Sequence, residues 1–291
     1  MKDIRRFIDQ YKARCQDGRH DGDGFALKGF ADLYRAAGDP ADRRFVLDAL
    51  EKRVNADGTI PGSGTDDDLL GLVKTLFFAL DETGDPRFRR AADFLHERFS
   101  AHLSGEPRTF PQDDASEPPR PDCLYMIQPF RAEYDRRFLS GLEAGDIASQ
   151  FRDARPRPCG PDACLYLMAL VDCVGQMSEQ LYEHRRLLMD RFLEAARGIL
   201  PCADPESGLF SPATDRAGAL GNCPDTSGSA MIAYALMKGV RLDLLDPERY
   251  LALGLKAFRT LAERFLTADN GGRAVGPFIM AWSEYLRCTP V

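Results

Sequence analysis

Several features of exported, membrane-spanning and nucleic-acid-binding proteins are missing from this sequence of 291 residues. No apolar run is long enough to span a bilayer, and no apolar N-terminal segment is followed by a cleavage site. Acidic residues outnumber basic ones by 45 to 38, and no basic stripe is present that could neutralise phosphates. We therefore expect a cytoplasmic protein with no membrane or nucleic-acid partner.

The spacings that mark metal sites are also absent. The eight cysteines form no Cys-x-x-Cys pair, and with the four histidines they complete no zinc-finger pattern. Without a secretory signal, we expect the cysteines to be reduced thiols. The sequence predicts no metal and no cofactor.

Helical periodicity dominates what is present, and no segment has a convincing strand pattern. Twelve helices are predicted, in which apolar even-numbered members alternate with charged odd-numbered ones. GLVKTLFFAL (71–80) is typical of the apolar set and DRRFVLDALEKRV (42–54) of the charged set. The predicted ranges are 2–15, 24–37, 40–54, 67–83, 86–103, 122–139, 145–153, 162–177, 180–199, 226–239, 247–266 and 277–287.

An internal repeat pairs these helices. Residues 25–45 (FALKGFADLYRAAGDPADRRF) align without gaps on residues 71–91 (GLVKTLFFALDETGDPRFRRA). In each copy a glycine, Gly38 or Gly84, can end the first helix, and the following Asp-Pro can begin the second. Six such hairpins, each with an apolar inner helix and a charged outer one, predict an all-α chain. We expect one (α/α)6 barrel domain over residues 1–291.

The long predicted loops gather at one end of this barrel. Connections from inner to outer helices are tight turns, whereas those from outer to inner helices are long and polar, as at 55–66, 104–121, 200–225 and 267–276. Because all inner helices of such a barrel start at the same end, these loops surround one opening, which we call the mouth. Binding and catalytic groups are expected there.

Acidic residues stand at the start of five of the six predicted inner helices. Helix capping alone favours Asp at this position, because its side chain accepts a free backbone N–H. Several carboxylates in one cavity would also raise one another's pKa, which can keep one of them protonated near neutral pH. The residues are Asp23, Asp66–Asp68, Asp122, Asp162 and Asp225.

Residues 121–138 (PDCLYMIQPFRAEYDRRF) are the most distinctive segment. Asp122 follows a proline-rich loop and is predicted to cap a strongly apolar helix. Pro129 cannot donate to the carbonyl of Tyr125, so we expect a kink there and a carbonyl open to water or ligand. Tyr125 and Met126 are predicted to line the mouth.

Three stretches resemble the unsaturated rhamnogalacturonyl and glucuronyl hydrolases, glycoside hydrolase families 105 and 88. They are PDCLYMIQPFRAEY (121–134), DPESGLF with NCPDTSGSAMIAYALMKGVRLDLLDPERY (204–210 and 222–250), and VGPFIMAWSEYLR (275–287). The resemblance implies an (α/α)6 barrel that removes a 4,5-unsaturated uronic acid from lyase-generated oligosaccharides. A protonated Asp would donate to the C4=C5 bond and water would add at C5, unlike the two-carboxylate displacement of ordinary glycosidases.

The resemblance also implies roles for residues at the mouth. Asp122 matches the general acid of the family's D-x-L-[FY]-M motif, and a second family Asp falls at Asp67 or Asp68. An oligosaccharide or small sugar is the implied partner. We expect it to contact Tyr125, Met126, Asp162, Asp225, Thr226, Ser227, Arg120 and His20.

The chain departs from the family just before the LMALVD helix. The family's R-G-N-[GA]-W motif is replaced by GPDAC (160–164), and the preceding FRDARPRP (151–158) holds no histidine. Arg120, Arg155 and Arg157 are the nearest arginines that could pair with a uronate carboxylate. The alternative to an active hydrolase is therefore a catalytically silent relative that binds carbohydrate or regulates.

Overall fold

A computed structural model describes residues 2–16, 24–61, 66–103, 119–154, 156–157, 159–211, 225–267 and 274–289. Within these ranges twelve α-helices form, close to the predicted bounds, and the pairing of strands is limited to one isolated bridge between Ala203 and Phe210. The helices are α1 Lys2–Gln16, α2 Gly24–Ala37, α3 Pro40–Glu51, α4 Asp66–Thr83, α5 Pro86–Leu103, α6 Pro121–Tyr134, α7 Ala144–Asp153, α8 Pro161–Gln176, α9 Tyr182–Gly198, α10 Thr226–Arg241, α11 Pro247–Thr267 and α12 Val275–Cys288.

The even-numbered helices form the inner ring of the barrel, as predicted. Each packs on the next, from α2 through α4, α6, α8 and α10 to α12, and α12 packs back on α2. The ring closes where Gly276 of α12 packs closely against α2. A residue with a Cβ atom at this position would place that atom only 2.5 Å from the backbone nitrogen of Ala26. The predicted (α/α)6 barrel is confirmed.

Burial distinguishes the inner from the outer helices. In α8 every residue from Ala163 to Val174 except Leu165 is buried, whereas α9 buries only Leu188, Phe192 and Ala196. A helix with an apolar surface all round needs neighbours on all sides, and one with a single apolar stripe lies at the surface. No helix in the described ranges is both long and apolar enough to cross a bilayer.

The tight hairpin turns form as the repeat predicts. Gly38 and Gly84 have φ values of 75° and 67°, in the left-handed region that glycine adopts without strain. Asp39 then caps α3 by accepting the N–H of Ala41 at 2.8 Å. Local sequence chemistry therefore sets these reversals.

Pro129 lies inside α6 and has no N–H to donate to the carbonyl of Tyr125. This carbonyl accepts a hydrogen bond from another donor instead. The ammonium of Lys74 on α4 donates to the Tyr125 carbonyl. This carbonyl was predicted to be open to water or ligand, and that prediction is wrong because a side chain of the neighbouring inner helix occupies it.

A disulfide joins Cys159, before α8, to Cys202, in a short 3-10 turn after α9. The expectation that all the cysteines are thiols is wrong for this pair. The two residues are 43 positions apart, and their proximity depends on how α8 and α9 pack. Spacing along the sequence does not reveal it.

Candidate functional site

The mouth lies at the N-terminal ends of the inner helices. The loops at 17–23, 62–65, 104–118, 212–224 and 268–273 fall outside the described residues, and so do His20 and Asp23. Asp67 and Asp68 belong to the first turn of α4, where only the backbone is described. The predicted general acid and the residues on α6, α8 and α10 can be placed.

Asp122 is paired with an arginine and is not the cap of its helix. Helix α6 begins at Pro121, Arg120 occupies the capping position, and Asp122 is therefore inside the first turn. The Asp122 carboxylate lies 2.6 Å and 3.2 Å from two guanidinium nitrogens of Arg120, and its side chain is 46% exposed. Arg120, expected to pair with a substrate carboxylate, pairs with Asp122 in this structure.

Tyr125 lies beneath the mouth, inside the barrel. Its side chain is buried, Phe25 of α2 stacks on its ring with centroids 5.5 Å apart, and the Lys74 ammonium lies 3.8 Å from the ring centroid. The hydroxyl has no hydrogen-bond partner among the described residues. The ring therefore forms part of the barrel interior, while its neighbour Met126 is only partly buried against the core.

Asp162 departs from its predicted capping role in the same way as Asp122. Helix α8 starts at Pro161, and Gly160, with φ of 92°, is the capping residue. A proline in the first helical position shifts the start of the helix by one residue, so that Asp162 falls in the first turn. Its side chain is partly buried.

Asp225 does cap its helix. Its carboxylate accepts the N–H of Ser227 at 3.0 Å, and Thr226 opens α10. A Cβ on Gly228 would lie 2.6 Å from the Asp225 carboxylate and 3.1 Å from the Cys164 sulfur, so α8 and α10 approach closely here. Burial, with the charge of Asp225, raises the pKa of the Cys164 thiol to about 12, and this thiol stays neutral near pH 7.

A network of charged side chains fills the barrel below the mouth, and the sequence analysis did not identify it. Asp172 accepts hydrogen bonds from Lys238 and from the Tyr234 hydroxyl, both at 2.7 Å. Lys28 donates to Tyr234 at 3.0 Å. Burial by itself would raise the pKa of Asp172, but Lys238 and Lys28 hold it well below its usual range. We call the set the interior network: Lys28, Asp32, Lys74, Asp172, Tyr234 and Lys238.

Two charged members of the interior network are lone charges within apolar stretches of inner helices. Lys74 interrupts GLVKTLFFAL, and Asp172 interrupts ACLYLMALVDCV. A charge that is buried on all sides must be paired to persist, so such interruptions indicate either an ion-pair network or a ligand site. This signal was present in the sequence.

Comparisons with known proteins agree with the resemblance seen in the sequence. Residues 163–282 match the family model described as Glycosyl Hydrolase Family 88. The 24.9 kDa protein in picA locus of Rhizobium radiobacter is 35% identical over 115 residues, which are 37% of this chain and 46% of that protein. The chain thus spans about half the length of this curated relative.

Solved structures share the whole barrel. A family 105 glycoside hydrolase from C. acetobutylicum matches with a TM-score of 0.76 and 24% identity, over 90% of this chain and 92% of that chain. An unsaturated glucuronyl hydrolase specific for heparin matches with a TM-score of 0.62 and 16% identity, over 91% of this chain and 84% of that one. At these identities the likeness establishes the fold. Over residues 163–282 this chain therefore carries the sequence pattern of glycoside hydrolase family 88, and it shares the (α/α)6 barrel of these solved structures.

Proposed function

We propose that the chain is a glycoside hydrolase that removes a 4,5-unsaturated uronic acid, or a related sugar, from lyase-generated oligosaccharides. The observation that carries the proposal is the family 88 match over residues 163–282, which includes the helix capped by Asp225. The Asp-x-Leu-Tyr-Met motif at the start of α6 supports it independently, because that motif lies outside the matched residues.

The reaction needs only a proton donor and water. Asp122, as a carboxylic acid, would protonate C4 of the C4=C5 bond, and water would then add at C5. The hemiketal so formed would open and release the next sugar. Asp67 or Asp68 on α4 would assist from across the mouth, and Asp162, Asp225, Thr226, Ser227, Met126 and His20 would contact the sugar.

The ion pair between Arg120 and Asp122 gives this mechanism a specific first step. A uronate carboxylate entering the mouth would compete with Asp122 for the guanidinium, since arginine binds carboxylates through two parallel hydrogen bonds. Transfer of Arg120 to the substrate would leave Asp122 without its cation under a sugar that excludes water. Substrate binding would thereby release Asp122 from its ion pair before the reaction.

A panel of lyase-generated unsaturated disaccharides tests the proposal. Turnover is followed as loss of the absorbance of the double bond. A general acid contributes about 10²- to 10⁴-fold, so Asp122→Asn should lower kcat by at least about a hundredfold. Asp190→Asn, an exposed pair-forming aspartate on α9, is the matched control and should turn over at the wild-type rate. Equal rates for Asp122→Asn and wild type would refute the role of Asp122.

A second candidate is a catalytically silent relative that binds carbohydrate or regulates. Two observations favour it: GPDAC replaces the family's R-G-N-[GA]-W motif, and Asp122 is already neutralised by Arg120. Calorimetry separates the two candidates. Binding of saturated and unsaturated uronides with no change in the absorbance of the double bond would establish the silent relative.

We also propose that residues 1–291 form one domain, that it acts in the cytoplasm, and that it has no membrane or nucleic-acid partner. The net charge of −7 supports the absence of a phosphate-binding surface. Disulfides are typical of oxidising compartments, so the redox state of Cys159 and Cys202 in cells tests the proposed location. Alkylation of thiols in freshly lysed cells, followed by mass spectrometry, tests the location: an alkylated Cys159 supports the cytoplasm, and an intact disulfide contradicts it.

A further inference from the structure

A cavity lies at the end of the barrel opposite the mouth. Its volume is about 350 Å³, and all six inner helices line it through residues of their middle and C-terminal turns. Ligand pockets typically enclose about 300–1,000 Å³, so a molecule the size of one sugar fits. Arg35, Gly175 and Arg241 are exposed at its rim, so the cavity is open to solvent. We call it the basal cavity.

The lining of the basal cavity has more positive than negative side chains. Six are basic, and three, Asp32, Glu133 and Asp172, are acidic. Each acid already has a cation: Asp32 lies 2.5 Å from Lys28, and Asp172 lies 2.7 Å from Lys238. Glu133 lies 2.7 Å from an arginine of the following helical turn. No lining carboxylate is therefore left without a partner.

Helix dipoles account for part of this positive charge. Arg241 and Arg287 lie in the last turns of α10 and α12, where the negative end of the helix favours cations, and both pair with the buried Glu284. Lys74 is different, because it lies in the middle of α4, far from either end of the helix dipole. Its presence in the cavity wall needs another explanation.

Six basic residues line the basal cavity. Among them, Lys74 is the one that has no carboxylate of the described residues within ion-pair distance. Its ammonium contacts the carbonyl and the ring of Tyr125, both of which are neutral. Burial, together with the charges of Lys28 and Lys238 and against the opposing charge of Asp172, lowers the pKa of Lys74 to about 7. A partly buried ammonium that faces a solvent-filled cavity without a counter-ion is a site where an anion gains binding energy.

We propose that the basal cavity binds a small hydroxylated monocarboxylate, the size of a single sugar acid, with Lys74 as its counter-ion. One uncompensated ammonium matches one negative charge, which favours a carboxylate over a doubly charged phosphate. Arg35, whose ion-pair contacts with Asp32 and Asp81 are long at 4.0 Å and 3.8 Å, supplies a second donor at the rim. The polar lining suits the hydroxyl groups of such a ligand. This site is separate from the mouth and does not depend on hydrolysis there.

Binding should take up protons, because a bound carboxylate favours the charged form of Lys74. At pH 7 about half of the Lys74 side chains are neutral, so wild type should take up about half a proton per ligand. Above this pH the affinity should fall by about tenfold per pH unit. The groups that face Lys74 from neighbouring helices are Lys28, Tyr125, Glu133, Asp172, Cys173 and Lys238.

Isothermal titration calorimetry of the full chain with glucuronate tests the proposal. Titrations at pH 6, 7 and 8 in two buffers of different ionisation enthalpy give the affinity and the number of protons taken up. The double variant Arg120→Met, Asp122→Asn is used as the background, so that neither uronate binding nor proton transfer at the mouth contributes. Lys74→Met should weaken binding by at least tenfold and abolish proton uptake. Lys52→Met, an exposed lysine after α3, is the matched control and should bind like its parent.

Two further measurements, one with another Lys74 variant and one with other ligands, test whether binding depends on the charge of Lys74 and on the carboxylate of the ligand. Lys74→Arg retains a charge at every pH and should bind with an affinity that does not change between pH 6 and 8; loss of binding in this variant at all pH values would overturn the role of charge. Glucose should not bind at the basal cavity, and phosphate should bind more weakly than glucuronate. Unchanged glucuronate binding in Lys74→Met, equal binding of glucose, or tighter binding of phosphate would each overturn the proposal.

Discussion

The contact that closes the barrel between α2 and α12 makes a quantitative prediction. Gly276 lies in the first turn of α12, and a Cβ there would lie 2.5 Å from both the Ala26 nitrogen and the Phe25 Cβ, and 2.6 Å from the Phe25 carbonyl carbon. Side chains can rotate away from such a clash, but the backbone of α2 cannot. Gly276→Ala should therefore push the two inner helices apart.

The expected cost follows from two opposing effects. Overpacking a tight contact costs about 1–3 kcal/mol. Replacing glycine by alanine inside a helix raises the free energy of unfolding by about 0.5–1 kcal/mol. We expect Gly276→Ala to lower the free energy of unfolding by about 1–2 kcal/mol, which corresponds to a decrease in Tm of a few degrees.

Urea denaturation followed by circular dichroism measures the effect. Gly198→Ala is the matched control: Gly198 ends α9, and a Cβ there would meet nothing within 4 Å. This variant should be neutral or slightly more stable than wild type. If Gly276→Ala is as stable as Gly198→Ala, the close packing of α2 on α12 is wrong.

Three further predictions concern the disulfide and the interior network. Cys159→Ser should lower the free energy of unfolding by about 2–4 kcal/mol, because the bridge closes a loop across 43 residues; equal urea midpoints for wild type with and without reductant would contradict this. Asp172→Ala should cost about 3–5 kcal/mol in the same assay, because it leaves the lysines around it without their shared carboxylate, and a loss under 1 kcal/mol would contradict the network. The pKa of Lys74, about 7 in the folded chain, lies below the unfolded value of about 10.4, so the unfolded chain binds more protons between these pH values. The contribution of Lys74 to stability should therefore rise from pH 7 to 10, and the difference in urea midpoint between wild type and Lys74→Met should change with pH in that direction; a constant difference would contradict the shifted pKa.

The fold could be predicted because local chemistry repeats. The Gly-Asp-Pro turns at Gly38 and Gly84 combine a glycine that can adopt positive φ with a capping aspartate and a proline in the first helical turn. Because the inner helices are apolar and the outer helices are charged on their exposed faces, few arrangements of the twelve helices bury all the apolar surfaces. None of this depends on contacts between residues far apart in the sequence.

The capping roles at the mouth were only partly predicted. Asp225 caps α10 as expected, but Asp122 and Asp162 do not cap their helices. In both failures a proline stands just before the aspartate and takes the first helical position. Asp39 obeys the same rule, since it stands before Pro40 and caps α3, so the order of Asp and Pro distinguishes a capping aspartate from one in the first turn.

The interior network could not be predicted from spacing, because its partners are distant in the sequence. Lys238 lies 66 positions from Asp172, and Lys28 lies 206 positions from Tyr234. The lone charges in apolar helices were visible, but their pairing depends on the register of packed helices. The same limit applies to the disulfide and to the approach of Lys74 to the Tyr125 carbonyl.

The central claim is that Asp122 protonates C4 of an unsaturated uronide at the mouth. The most direct measurement is the reaction of wild type in D₂O, with the product analysed by proton and deuterium NMR. Our account predicts one deuterium at C4 of the released sugar acid, with the rate of its incorporation reduced at least about a hundredfold in Asp122→Asn. A product without deuterium at C4, or equal incorporation rates in wild type and Asp122→Asn, would contradict it.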